Sequence, residues 1–407
     1  MPRYIYTAKS LQGEEKSGVL EAKDVHQLAG TLRQQGLILI RAELEEPPTT
    51  FQKKWWGALS FGGVSLTEKI FFVRNLQVMI RAGLPLPRAL ETLSLQAKSK
   101  KFKKAILEIR EAVIKGKSFS ESLANYSDIF SELFQSMVRV GEESGTLEEV
   151  LKTLSRQMER ENELRSKITG AMIYPAVIIL AMIGIGILML IVVVPKLAET
   201  FTELNIELPL TTRIIIGLAN FLTQKWYLVI LILFILIFLF WQVIKSEKGK
   251  KIIDRLTLKI PIIAPIIKKT NTAYTSRTLS SLIRAGVPIV RSLEITSGTL
   301  GNIYYKKAVA EATEKVKKGE KLSDALKPYV NIYSPMVIQM IAVGEETGET
   351  TAILEKLADF FEEEVGNATK NLVSVIEPVL MLIIGGVVGF FAISMVQPIY
   401  SMLGSIQ

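Results

Sequence analysis

The sequence predicts an all-α membrane protein: two homologous cytoplasmic helical bundles and three transmembrane helices, with a small N-terminal α+β module in front. Three observations carry that reading. First, one unit is written twice. Met137–Thr146, MVRVGEESGT, returns as Met340–Glu349, MIAVGEETGE, 203 residues on. The same shift carries Arg81, Gly83 and Pro85 onto Arg284, Gly286 and Pro288, and Pro175 and Pro195 onto Pro378 and Pro398, without a gap. The unit spans about 72–204 and 275–407. Second, residues 172–194, 226–244 and 378–396 contain no charge. Each run is about the 20 residues that cross a hydrocarbon core of roughly 30 Å as a helix. Third, lysine and arginine crowd one side of these runs.

Bulk composition bounds the function. The 407 residues carry a net charge of +9, no cysteine and one histidine, His26. Disulfides, thiolate metal sites, paired-histidine haem and histidine-clustered zinc are thereby excluded. His26 reads as a solvated side chain. The polar amino terminus, MPRYIYTAKSLQGEE, is not a cleavable signal peptide, because no apolar segment follows a basic start.

Residues 1–45 read as the small α+β module. Tyr4, Tyr6 and Ala8 alternate, a turn falls at Gly13, Gly18–Ala22 is a short strand, and a helix near 24–35 ends at Gly36 before the β-prone Leu37–Leu44. Residues 46–65, with Pro47, Pro48, Gly57, Gly62 and Gly63, are a linker. Its Lys53, Lys54, Trp55 and Trp56 would also suit a membrane interface.

From Leu66 the apolar spacing turns helical, opening the first bundle at 66–171. Gly83 takes a left-handed turn, Pro85 fits the first turn of the next helix, and Arg81 meets the negative end of the first helix dipole, so Arg81–Pro85 is a tight corner. Arg284, Gly286 and Pro288 repeat it. Further helices are expected near 99–115, 118–124 and 129–143. Ser118 with Glu121, and Thr146 with Glu149, have capping-box spacing, which places breaks before 119 and 147. The helix from about 147 meets no stop signal before the first apolar run.

The remaining segments follow: transmembrane helices at 172–194, 226–244 and 375–397, a loop at 195–225 holding an amphipathic surface helix, a basic connector at 245–272, the second bundle at 273–374, and a tail at 398–407. The spans must be helical, because in lipid each backbone amide has to find its partner within the segment. Lys245, Lys248, Lys250, Lys251, Arg255 and Lys259 follow the second run, whereas the 195–225 loop has only Lys196, Arg213 and Lys225. The positive-inside rule then puts the amino terminus and both bundles in the cytoplasm and the carboxyl terminus outside.

No phosphate-binding loop is present, and GEESG and GEETG lack a lysine aimed at a phosphate. Gly145 and Gly348 read as left-handed helix ends, and Gly141 and Gly344 as points of close backbone approach. Glu142 with Glu143, and Glu345 with Glu346, put paired carboxylates at the same corner of both copies. They are open to three readings: solvated, binding a cation, or receiving basic residues of a partner. On the third, replacing Glu142 or Glu345 by alanine leaves the helical fold intact and weakens the partner. Lys152, Arg156 and Arg160 become Glu355, Asp359 and Glu363 under the shift. Four-residue spacing puts each trio on one helix face. These opposite stripes read as a contact between copies, as docking faces for two partners, or as solvated surface. Gly385 and Gly389 form a GxxxG face on the third span. Glu377 before Pro378 is an ionisable residue at a span's mouth, either functional or snorkelling to water.

RAGLPLPRALE at 81–91, ITGAMIYPAV at 168–177, VGEESGTLEEVL at 140–151, VGEETGE at 343–349, VIEPVLM at 375–381 and the opening YIYTAKSLQGEEKSGVLEA together resemble the type II secretion F family. These are inner-membrane platform proteins of type IV pilus and type II secretion machines. The resemblance covers essentially the whole chain, departing at Glu349 in place of Thr146. It implies a non-enzymatic scaffold without cofactors or nucleic acid. Its bundles would engage a hexameric secretion ATPase, its spans would hold pilin or pseudopilin subunits beside other inner-membrane assembly components, and it would form a homo-oligomer. The alternative class is an oligomeric membrane transporter or channel, disfavoured by the lack of a polar path through the spans.

Overall fold

Strand-forming alternation and a glycine-ended helix build the amino-terminal unit. The computed structural model describes residues 3–10, 15–22, 25–34, 36–44, 63–203 and 208–404. β1 (Arg3–Ser10), β2 (Glu15–Glu21) and β3 (Leu37–Leu44) form an antiparallel sheet in the order β2-β1-β3, with a register shift at Thr7/Ala8. α1 (Val25–Gln34) buries Leu28 and Leu32 with Tyr4, Ala8 and Leu37. His26 is exposed on that helix. Gly13, Pro47, Pro48 and the Lys53, Lys54, Trp55, Trp56 group lie outside the described residues.

Serine starts most helices of the first repeat. α2 (Leu66–Arg81), α4 (Lys100–Ile114), α5 (Phe119–Ala124) and α6 (Glu132–Glu143) follow Ser65, Ser99, Ser118 and Ser131, whose hydroxyls accept from the backbone N–H three residues on. Each such cap satisfies an N–H that has no partner within the helix. The Ser131 cap delays α6 to 132, later than the expected 129. α3 (Leu86–Gln96) starts behind Pro85. Thr146 does not form the expected capping box: its backbone (φ −104°, ψ 32°) leaves the extended geometry a cap needs, and its hydroxyl meets that of Ser144 at 2.7 Å.

α7 (Leu147–Leu188) then runs through a π-helical turn (Met189–Val193) into α8 (Val194–Glu203), one rod of 57 residues carrying the first apolar run. The first nine residues of the expected 195–225 loop are therefore helix continuous with the span, because no glycine or cap interrupts 194–203. α9 (Leu210–Gln224) packs back on this layer, and Thr212 donates to the carbonyl of Ser394. α10 (Trp226–Lys245) is the second apolar helix. The basic connector contains α11 (Glu247–Thr257) and the first turns of α12 (Ala264–Arg284). The second repeat continues with α13 (Ile289–Thr299), α14 (Ile303–Lys317), α15 (Leu322–Leu326), a 3-10 turn at Lys327–Tyr329, and α16 (Pro335–Thr347). It ends in α17 (Thr350–Gly404), 55 residues that hold the third apolar run. Pro175 and Pro378 sit inside the two rods.

The two repeats exchange core residues. The first core, built on Phe72, Phe102, Phe130 and Phe134, also contains Leu282, Val287 and Ile295 of the second repeat. The second core, around Tyr305, Tyr333 and Phe361, contains Leu164 and receives Ile168 from α7. Residues 64–407 are consequently one compact unit. Burying an aliphatic side chain contributes about 1.5–3 kcal/mol, so each borrowed residue ties the repeats together.

Candidate interaction surfaces and the cleft between repeats

The paired glutamates at each corner have different surroundings. The carboxylate of Glu142 accepts from the N–H of Phe119 (2.6 Å), the N–H of Ser120 (3.0 Å) and the Ser120 hydroxyl (2.9 Å). Glu345 does the same for Leu322 (2.5 Å), Ser323 (3.1 Å) and the Ser323 hydroxyl (2.5 Å). Both therefore close the free N–H groups at the start of a short helix, α5 or α15, and meet its positive dipole end. The expectation that either could be replaced without cost to the fold is corrected by these bonds. Glu143 and Glu346 are exposed. Among the described residues, no group of three or more His, Asp or Glu side chains could hold a metal ion.

The glycines hold the same corners. Gly83, Gly145, Gly286 and Gly348 have φ of 78°, 73°, 87° and 76°, where a side chain is strained. At Gly141 a Cβ would come 2.9 Å from Val150 Cβ, and at Gly344 3.0 Å from Thr350 Cα. Pro85 and Pro288 stand directly ahead of α3 and α13.

The opposite stripes face a common hollow of about 360 Å³, in which Arg156 and Arg160 line one wall and Glu355 and Asp359 the other. Two of the three acids of the acidic stripe are satisfied within their own repeat. Arg277 reaches Asp359 at 2.5 Å, and Arg284 makes a forked pair with Glu355. Of the corresponding arginines of the first repeat, Arg74 makes no ion pair among the described residues and Arg81 turns to Glu148 at 3.7 Å. Arg160 pairs with Glu163 at 3.3 Å, while Lys152 and Arg156 make no ion pair among the described residues. Glu363 lines an adjoining groove with Arg160 and Lys167.

Within the apolar runs, Gly385 and Gly389 have open space where a Cβ would stand, so their face is not packed against another helix of the described chain. Glu377 and Pro378 are exposed, while Pro175 is buried.

A larger cleft of about 680 Å³ lies between the repeats and was not foreseen. Lys69, Glu161, Asn271 and Tyr274 share it. The Lys69 ammonium donates to the Ile129 carbonyl, and burial pushes its pKa down against the pull of Asp128 and Glu161. Burial pushes the Glu161 carboxyl up, with Arg165 and Lys69 opposing, and raises Tyr274 to about 12. The hydroxyl of Thr270 is buried there without a partner. Repeat comparison could have flagged Lys69, which becomes Thr272 in the second copy.

Two fused helical repeats, each ending in a rod that carries an apolar span, define an integral membrane protein with tandem internal duplication. The chain belongs to the family of the type II secretion system protein F: that domain matches residues 72–195 and 275–398, and the family's N-terminal domain matches residues 1–43. It is 36% identical over 407 residues to the type IV pilus assembly protein PilC of Thermus thermophilus, covering 100% of both chains. It is 33% identical to PilC of Myxococcus xanthus, over 100% of this chain and 96% of that one. It is also 33% identical to the type II secretion system protein F of Aeromonas hydrophila, over 93% and 97% of the two chains.

Proposed function

We propose that this chain is a non-enzymatic platform in the bacterial inner membrane, serving a type IV pilus or type II secretion machine. The names of its relatives support that class, and the bundle-to-span rods α7 and α17 are the observation that carries the mechanism. With the amino terminus and bundles cytoplasmic and the carboxyl terminus outside, a cytoplasmic ATPase would act on the bundles, and the rods would carry its movement to pilin-like subunits in the bilayer. Glu143 and Glu346, exposed beside the capping pair, are the acidic side chains free to meet a basic partner surface. The open Gly385 and Gly389 face is suited to a close helix neighbour, either a second copy or a pilin segment.

The test is reconstitution with the cognate ATPase and a pilin subunit in vesicles. ATP-dependent extraction of the subunit supports the platform, whereas solute flux without extraction supports a channel. A reporter fused at Gly249 should be cytoplasmic, and one fused after Gly404 external. The opposite result for either overturns the orientation.

A further inference from the structure

The basic connector carries a surface that the platform role does not use. Lys248, Lys251 and Arg255 recur at three- and four-residue spacing along one exposed face of α11, and Lys259 follows just beyond its end. None of the four makes an ion pair among the described residues, and all four are exposed. One position on from Lys251 and Arg255, Ile252 and Leu256 are 59% and 53% exposed. A basic stripe beside a bare apolar stripe is the pattern of a helix lying in a membrane interface.

Position agrees with pattern. α11 begins two residues after Lys245, the last residue of the apolar helix α10. The Lys245 ammonium sits 3.7 Å above the Trp241 ring, an aromatic and basic pair suited to the edge of a bilayer. Ser246 breaks the helix with extended backbone, and α11 folds tightly against the end of α10. A Cβ at Gly249 would overlap the Val243 carbonyl, so only glycine allows the approach. The other side of α11 is fixed to the second repeat, where Asp254 accepts from the N–H of Ile303 at 2.8 Å, and Leu258, just past the helix end, packs on that repeat's core.

We propose that α11 binds the phosphate headgroups of anionic phospholipids in the leaflet where α10 ends, and thereby sets the height of the second bundle against the bilayer. Lys248, Lys251, Arg255 and Lys259 supply the charge; Ile252 and Leu256 enter among the upper acyl carbons. Each basic side chain near an anionic surface contributes about 1 kcal/mol, so neutralising one weakens the contact roughly five-fold. The inference rests on α10 crossing a bilayer, and not on which side α11 occupies.

The chain has no cysteine, so a single Ile252→Cys variant of the full chain can carry an environment-sensitive dye. It is placed in nanodiscs of phosphatidylcholine alone, or of phosphatidylcholine mixed with phosphatidylglycerol, with a quencher on the acyl chains. The expected result is quenching in the mixed discs, reduced by high salt and abolished by the added K248Q, K251Q and R255Q substitutions. A dye at Leu236→Cys, in the middle of α10, should be quenched in both discs and reports the span itself. A silent dye at Ile252→Cys beside a quenched one at Leu236→Cys overturns the proposal. Equal quenching at Ile252→Cys in both lipid compositions overturns it too, since headgroup charge would then play no part.

Discussion

The guanidinium of Arg277 donates to both carboxylate oxygens of Glu362, at 2.8 and 2.9 Å, and so fastens α12 to α17. Both side chains are 11% exposed. The first repeat has Arg74 and Glu159 at these positions but no such fork among the described residues, and Arg156 stands where the second repeat has Asp359.

Removing one partner of a buried pair leaves the other charge without compensation, which costs about 3–5 kcal/mol. Arg277→Ala is therefore expected to lower the unfolding free energy of the detergent-solubilised chain by about 3 kcal/mol. The exposed Arg74→Ala should change it by no more than about 0.5 kcal/mol. Denaturant unfolding of the two variants checks the contrast.

Glu142→Ala and Glu345→Ala each remove three hydrogen bonds from the start of a short helix. Lost caps and orphaned N–H groups place the expected loss at about 2 kcal/mol. Glu143→Ala and Glu346→Ala should leave the melting temperature unchanged, so weaker capture of the proposed ATPase partner by those variants would report recognition rather than damage. Thermal unfolding beside a pull-down separates the two effects.

Gly141→Ala drives a methyl into Val150 and the backbone of Leu147. Overpacking of this kind costs about 1–3 kcal/mol. The corner between α6 and α7 should loosen, read as faster amide exchange over 141–150.

Glu161 is held above its ordinary range of 4.5 by burial, so its ionised form is penalised in the folded chain. A carboxyl with a raised folded pKa contributes stability that is full below 4.5 and lost as pH rises through the folded value. Glu161→Gln is therefore expected to raise the melting temperature at neutral pH, with the gain fading as pH falls through the folded value and absent below 4.5. A pH series of melting curves for both proteins tests the sign.

Duplication, spans and turn glycines were legible because each leaves a local mark: a constant shift, a charge-free run, a glycine after a helix. The role of Glu142 was not, since its N–H partners lie 22 and 23 residues back and no spacing rule links them. Thr146 and Glu149 have the right spacing for a box, yet spacing says nothing of the backbone angle that decides it. Nor could repeat periodicity show Leu282, Val287 and Ile295 entering the first core. An apolar helix position announces burial, and its neighbour is chosen by the tertiary fold.

The uninterrupted runs Leu147–Glu203 and Thr350–Gly404 are each about 80 Å long at the rise of an α-helix. They lie against one another where Gly366 faces Lys167, beside a core that Leu164 shares with Phe361 and Val365. A torque on one shaft cannot be absorbed by a loose joint in the half that carries the bundles, because that half of each run is unbroken helix. It must reappear as rotation or tilt of both shafts within the lipid, so the pair acts as coupled levers whose fulcrum is their shared waist.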